Sequence, residues 1–193
     1  MTQKKWFVPA VIAGAVIVAI LMFVSWSSGI YDTAVQLQEN VDAEWANVQA
    51  QYQRRADLVP QLVATVKGAA ENEKAILTQV TEARAGIVNA KTPEEMEMYG
   101  KKINTAINLA FEAYPEIRST QNFSDLQAQL EGTENRIAVA RRNYNEAVRK
   151  YNTFRRGFFK RFALNMLAEE DEFPKRDMFQ ASAGAEKAPK VEF

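Results

Sequence analysis

Residues Phe123 to Phe158, FSDLQAQLEGTENRIAVARRNYNEAVRKYNTFRRGF, decide the fold class of this chain. Phe123, Leu126, Leu130, Thr133, Ile137, Ala140, Tyr144, Ala147, Tyr151, Phe154 and Phe158 step alternately by three and four without a miss. An apolar seam on a repeat of about 3.5 residues lies on one helix face and packs by knobs into holes against other helices. Gly132 sits inside the seam and lowers helix propensity by about 1 kcal/mol relative to alanine. Close approach of a neighbouring helix is the expected reason for it.

The rest of the chain carries the same period. From Tyr31, the residues Ala34, Leu37, Val41, Trp45, Val48 and Tyr52 form one stripe, with Gln36, Glu39, Asp42 and Gln49 off it. Pro60 would cost about 3 kcal/mol inside a helix and almost nothing in a first turn. A chain reversal is therefore expected around 55–59, with Asp57 as a cap; the alternative is one long helix kinked at Pro60. A second helix follows over 60–88, with Val63, Val66, Leu77, Val80 and Ile87 on one face. Thr92-Pro93-Glu94-Glu95 combines a cap, a first-position proline and the S/T-x-x-E box, so a third helix starts there. It presents Met96, Tyr99, Ile103, Ala106 and Ala110, and stops before Tyr114-Pro115, since a residue preceding proline avoids the helical region.

Between Trp6 and Tyr31 no side chain is charged. Phe7, Val11, Ile17, Leu21 and Trp26 mark a run longer than the roughly 20 apolar residues that cross a bilayer core. Backbone groups in lipid satisfy one another only as a helix or a closed barrel, so this segment is expected to be helical. Trp6 and Trp26 stand where rings favour the interfaces. A cleaved secretory signal has an apolar core of about 7–15 residues, which this run exceeds. An uncleaved anchor is expected. Ala10, Gly14, Ala15 and Ala19 have the small-xxx-small spacing that lets helices approach closely in membranes.

The fold class expected is all-α: an N-terminal transmembrane helix followed by an antiparallel, up-and-down four-helix bundle with long helices. The domains are an anchor over 1–30, a bundle over 31–168 and a polar tail over 169–193. The tail opens on Glu169-Glu170-Asp171-Glu172 and has too little apolar surface to offset ordering entropy. Lys4 and Lys5 precede the anchor, whereas Asp32, Glu39, Asp42 and Glu44 follow it before the first basic residue, Arg54. Flanking basic charge marks the cytoplasmic side, so the soluble domain is expected outside the cytoplasm.

Lys plus Arg and Asp plus Glu both number 24, which provides no net basic field for nucleic acid. Cysteine and histidine are absent, which excludes disulfides, thiolate and imidazole metal sites, and Cys- or Ser–His catalysis. No cofactor or metal is expected. Paired acids remain: Glu131 with Glu134, Glu94 with Glu97, and Glu71 near Glu73. A hydrolase needs two such groups at fixed separation in a cleft, but on helix faces they more commonly pair with lysine or arginine. Arg54-Arg55-Ala56-Asp57 is read as a turn whose arginines meet helix-end carbonyls, and Arg136, Arg141 and Arg142 as a solvated face.

Arg155, Arg156, Lys160 and Arg161 are interleaved with Phe158, Phe159 and Phe162. That is the composition of a helix lying in a membrane interface. If the first helix leaves the bilayer and four helices alternate direction, the fourth returns this segment to lipid. The competing reading is that these apolar residues cap the bundle or an oligomer contact.

Arg54-Arg55-Ala56-Asp57-Leu58-Val59-Pro60-Gln61-Leu62-Val63, then Val66-Lys67-Gly68 and Ala83-Arg84, resembles the signature of the bacterial LemA family. Asn122 to Gln127, Leu130 to Ala138, Ala140-Arg141-Arg142, Tyr144-Asn145 and Tyr151-Asn152 resemble it more closely still. The resemblance covers about residues 31–167. It implies an N-terminal membrane helix and an antiparallel bundle, and it supplies no catalytic residues. The chain departs from it at Gly157-Phe158-Phe159, where the family often shows Phe-Pro. The resemblance also implies a short external N-terminus and a cytoplasmic domain, opposite to the charge reading, which is retained here.

The function expected is a non-enzymatic, membrane-anchored scaffold in the bacterial inner membrane that self-associates or organises partners. Its partners are the lipid bilayer, further copies of itself, and membrane or extracytoplasmic proteins. Trp45, Tyr52, Leu126, Leu130, Ile137, Tyr144 and Tyr151 are the residues expected to pack the bundle. The alternative is an extracytoplasmic ligand sensor with Arg136 or Asn145 turned inward, and last a hydrolase.

Overall fold

A computed structural model describes residues 4–64, 70–113 and 121–180, and among these residues every regular element is a helix. The helices are α1 (Lys4–Ala64), α2 (Ala70–Asn89), α3 (Pro93–Ala113), α4 (Gln121–Arg156) and α5 (Phe158–Leu167). The fold is all-α, with a long apolar helix at the N-terminus and antiparallel helices after it. The chain divides into two compact units: Met1–Val41 with Arg149–Arg176, and Asp42–Val148 with Asp177–Phe193.

In the second unit, α1 and α4 run in opposite directions. Arg55 pairs with Glu134, and Trp45 meets Tyr144 with ring centroids 5.1 Å apart. Helices α2 and α3 form the neighbouring hairpin, with Lys102 3.9 Å from Glu82. Gln49 donates to the carbonyls of Ile87 and Ala90 (3.3 Å each) and so ties the end of α2 to α1. The core is made by Val48, Tyr52, Val80, Ile87, Met96, Ile103, Ile137 and Val148, all buried. Burial of such side chains contributes about 1.5–3 kcal/mol each, far above what an exposed ion pair adds.

The capping box at the start of α3 forms as expected. The Glu95 amide donates to Thr92 Oγ1 at 3.2 Å, and the Thr92 and Lys91 amides donate to Glu95 Oε2 at 3.3 and 2.8 Å. Two otherwise unpaired ends of backbone are thereby satisfied reciprocally. Helix α3 ends at Ala113, the residue before Tyr114-Pro115.

The expected reversal at 55–59 does not occur, because α1 continues through Pro60 to Ala64. Proline removes one helix hydrogen bond, at a cost of about 3 kcal/mol. Ala56, Leu58 and Val59 are buried around it, and their packing outweighs that cost. Asp57 is therefore no cap; its carboxylate meets Arg84 of α2 at 2.8 Å. The arginine reading of this cluster changes likewise, since Arg55 reaches Glu134 rather than a helix-end carbonyl. The second helix accordingly begins at Ala70, not near Pro60.

Around Gly29, too, α1 continues unbroken. Ser27, Ser28 and Thr33 donate to the carbonyls of Val24, Ser25 and Gly29 at 3.0, 3.0 and 2.7 Å, so these hydroxyls find partners inside the helix.

Close helix approach is carried by two glycines that the hydrophobic pattern did not single out. A Cβ on Gly86 would overlap the ring of Tyr99, and one on Gly100 would overlap the ring of Tyr52. Gly132 is not such a site: a Cβ there has open space. Its expected role at a close contact is thus corrected.

Two stability measurements check this packing. Gly100→Ala and Gly86→Ala should each lower stability by about 1–3 kcal/mol through overpacking, whereas Gly132→Ala should raise it by up to about 1 kcal/mol; urea unfolding of all three compares them. Burial holds the Tyr52 phenol above its ordinary value of 10.0, the nearby Arg141 charge opposing this only in part. The folded state then keeps that proton longer than the unfolded one, so stability falls as pH rises through this range. Tyr52→Phe should flatten the alkaline decline in melting temperature.

Candidate interaction surfaces: an aromatic helix face and a strap on α4

The first unit contains two surfaces that water alone does not explain. Along the start of α1, Phe7, Val11, Ile17, Leu21 and Trp26 are all exposed. This part of the helix is long and apolar enough to cross a membrane, and only 6% of its most apolar stretch is buried. It is a candidate membrane anchor. Ala10, Gly14, Ala15 and Ala19 are exposed as well, and a Cβ on Gly14 would meet nothing.

Helix α5 is the second surface. Gly157 leaves the helical region (φ −60°, ψ 133°) and so ends α4 and starts α5. Ala163 and Leu164 face inward, while Phe158, Phe159 and Phe162 are 82%, 67% and 58% exposed. Met166 and Leu167 extend the same apolar surface. Phe158 and Phe159 meet edge to face at 5.3 Å, and Lys160 stands 4.2 Å from the Phe154 ring. Arg156 and Arg161 are exposed and Arg155 is half-buried; all three line one cleft with Glu169, Glu170 and Asp171. An isolated exposed phenylalanine is ordinary; three in two turns, flanked by cations, form a patch of the kind that meets lipid or protein.

After α5 the chain does something its composition does not suggest. From composition, 169–193 is expected as one flexible polar tail. Residues 181–193 lie outside the described residues, but 169–180 turn back and bond to α4. A turn closes with the Glu172 amide on the Glu169 carbonyl (3.2 Å) and the Glu169 amide on the Glu172 carboxylate (2.9 Å). In the first unit, Phe173 is buried edge-on against Tyr31 at 5.5 Å, and the Tyr31 hydroxyl donates to Glu172. The Tyr151 hydroxyl donates to the Pro174 carbonyl at 2.9 Å. Asn152 takes both backbone groups of Arg176, donating at 2.8 Å and accepting at 3.2 Å.

In the second unit the same pair of residue types recurs. The Tyr144 hydroxyl donates to the Asp177 carbonyl at 3.0 Å, and Asn145 takes both backbone groups of Phe179 at 2.9 and 2.8 Å. Phe179 is buried; its ring stacks on Trp45 (5.9 Å, 22°), meets Tyr144 edge-on at 5.5 Å, and lies 4.7 Å from the Arg141 guanidinium. Arg141 also pairs with Glu97 and donates to the Gln180 carbonyl at 3.3 Å.

One amide can hold the N–H and C=O of a single residue only where both point the same way, so the chain is extended at Arg176 and Phe179. Tyr144 and Tyr151 were expected only as core, and both are indeed buried. The signal that marks the rest was present in the sequence: Tyr144-Asn145 and Tyr151-Asn152 repeat at seven.

The remaining sequence candidates separate clearly. Tyr52, Leu130 and Ile137 are buried and Trp45 is half-buried; the Leu126 side chain lies outside the described residues. Arg136 is exposed, and Asn145 is engaged by Phe179 rather than turned to an empty pocket. Glu134 and Glu97 are taken by Arg55 and Arg141, and Glu131 accepts from Gln127 at 3.2 Å. The Glu71 and Glu73 side chains lie outside the described residues. An open groove between α2 and α3 holds Glu82, Glu94, Lys101 and Lys102, with charges of both signs. Among the described residues no group of acids is placed to hold a metal ion.

Comparison with known proteins follows this geometry. Protein LemA of Metamycoplasma hominis is 24% identical over 139 residues, covering 70% of this chain and 62% of that protein. The chain thus spans less than two thirds of that relative's length. The LemA family model matches residues 44–193, which take in α1 from residue 44 onward, α2 to α5 and the segment 169–180. The chain belongs to the LemA family.

Proposed function

We propose that this protein is a non-enzymatic scaffold, anchored by α1 in the bacterial inner membrane, which self-associates or organises partner proteins there. The observation that carries the reading is the uncovered apolar surface of the first unit. The candidate anchor and the Phe158-Phe159-Phe162 face belong to that one unit, and neither is covered by protein. Full burial of a phenylalanine contributes about 1.5–3 kcal/mol, so leaving several exposed is favourable only if lipid or another protein covers them. Of the paired carboxylates, Glu134 and Glu97 are taken by arginines and Glu131 accepts from Gln127, which supports a structural rather than a catalytic use of these three.

In this reading the soluble domain lies on the outer side of the membrane. Lys4 and Lys5 stay in the cytoplasm, and the acidic residues after Tyr31 leave it. Helix α5 lies in the lipid interface, with its phenylalanines inserted and Arg155, Arg156, Lys160 and Arg161 at the level of the phosphates. Sensing of a small ligand is the weaker reading, because Asn145 is engaged and Arg136 faces outward.

Three measurements test these statements. A chain lacking residues 1–26 retains the buried Ser27 and Ile30 and should still bind vesicles containing anionic lipid. Replacing Phe158, Phe159 and Phe162 with serine should weaken that binding by about tenfold or more, given the cost of about 0.8 kcal/mol per lost buried methylene; equal binding removes α5 from the interface. A reporter fused after Val191 should show alkaline phosphatase activity, and fluorescence of a cytoplasmic reporter instead would reverse the orientation. The mass of the detergent-extracted chain should exceed that of one copy.

A further inference from the structure

Within the first unit, the cleft formed by the end of α4, by α5 and by the turn after it holds charges of both signs that do not meet one another. Arg155, Arg156 and Arg161 line it together with Glu169, Glu170 and Asp171. Among the described residues, none of these guanidiniums or carboxylates forms an ion pair or a hydrogen bond. The backbone keeps the two walls apart. Arg155 and Arg156 close α4 and Arg161 stands in the first turn of α5. The acids sit on a turn pinned by the bonds between residues 169 and 172 and by buried Phe173. The space between the walls is about 920 Å³, within the range of sites that hold small ligands.

A ligand that satisfies both walls carries a phosphate and an ammonium group close together. The guanidinium fork matches phosphate oxygens, and a primary ammonium offers three N–H donors to carboxylates. Three positive and three negative side chains leave the cleft without net charge, which suits a zwitterion better than a bare anion. Position supplies the source, since the exposed Phe158, Phe159 and Phe162 stand on the same short helix as Arg161.

We propose that this cleft takes the headgroup of phosphatidylethanolamine, its phosphate against the three arginines and its ammonium against the acidic turn. The proposal rests on the interfacial placement of α5 described above and names the lipid that the helix meets there. Attraction to an anionic surface and choice of headgroup are separate effects: the first sums charge over a distance, the second depends on contact. Phosphatidylcholine carries the same phosphate, but its quaternary nitrogen has no N–H to donate, so the carboxylates stay unpaired. Phosphatidylglycerol brings a net negative charge towards Glu169 and Glu170.

The test uses the full-length chain in a non-ionic detergent with equimolar phosphatidylethanolamine, phosphatidylcholine and phosphatidylglycerol of identical acyl chains. Native mass spectrometry reads which lipid stays bound. Phosphatidylethanolamine should be retained about fivefold or more over either competitor, the factor that one net hydrogen bond supplies. Equal retention of the three, or a lead for another lipid, overturns the proposal. Glu169→Gln with Glu170→Gln should remove the lead over phosphatidylglycerol, and Arg156→Gln with Arg161→Gln should lower retention of all three. Circular dichroism checks that both variants keep their helices. A preference that survives both pairs of substitutions places the lipid elsewhere and overturns the cleft. Soluble O-phosphoethanolamine at the same concentration should leave no adduct, and an adduct as strong as the lipid's overturns the lipid as source. Failure of this proposal is distinct from failure of α5 as an interfacial helix. If serine at Phe158, Phe159 and Phe162 weakens vesicle binding while no headgroup is preferred in detergent, α5 stays at the interface and only the cleft's ligand is overturned.

Discussion

The structure depends on the unbroken hydrogen-bond ladder of α1. Within an unbroken helix each backbone group is paired along the chain, which a candidate membrane segment requires. Gly29 and Pro60 are the two residues at which that continuity is weakest. At the first, hydroxyls of Ser27, Ser28 and Thr33 bond back to the helix's own carbonyls. At the second, buried Ala56, Leu58 and Val59 hold the helix to its neighbours across the missing donor. The same helix thereby supplies a candidate anchor in one unit and a full face of the bundle in the other.

Ion pairs tie the helices of the second unit to one another. Arg55 with Glu134, Arg141 with Glu97 and Asp57 with Arg84 each join two different helices. Their contribution to stability is small where they are exposed. Their value lies in selecting which residues stand opposite one another along seams that are otherwise apolar and tolerant of sliding. Gly86 and Gly100 act in the same sense through shape, since each accepts one particular tyrosine ring.

The strap follows a different logic. A segment as polar as Pro174-Lys175-Arg176-Asp177-Met178-Phe179-Gln180 cannot order itself by burial. It is ordered by a helix that presents, every seven residues, a hydroxyl and an amide aimed at its backbone. Each such bond is worth about 1 kcal/mol net, and the two buried rings, Phe173 and Phe179, add the apolar share. The helix therefore holds on one side a core and on the other an extended chain, and Tyr144 and Tyr151 serve both: rings inward, hydroxyls outward.

The sequence by itself determined the helical class, the seam of α4 from Leu130 to Tyr151, the capping box that starts α3 and the length of the apolar segment; Phe158, expected on that seam, falls beyond α4 and is exposed, because Gly157 breaks the helix before it. Each of these is local: periodicity, propensity and cap chemistry act within a few residues. Whether Pro60 ends a helix was not local, because its cost is balanced by packing against chain far away in sequence. The same holds for which glycines mark close approach. Gly132 looked the part within its own helix, but only the partner rings of Tyr99 and Tyr52 distinguish Gly86 and Gly100. The binding of 173–180 was likewise decided by tertiary structure, since its backbone is held by side chains of α4 and its two rings, Phe173 and Phe179, are buried only against other elements.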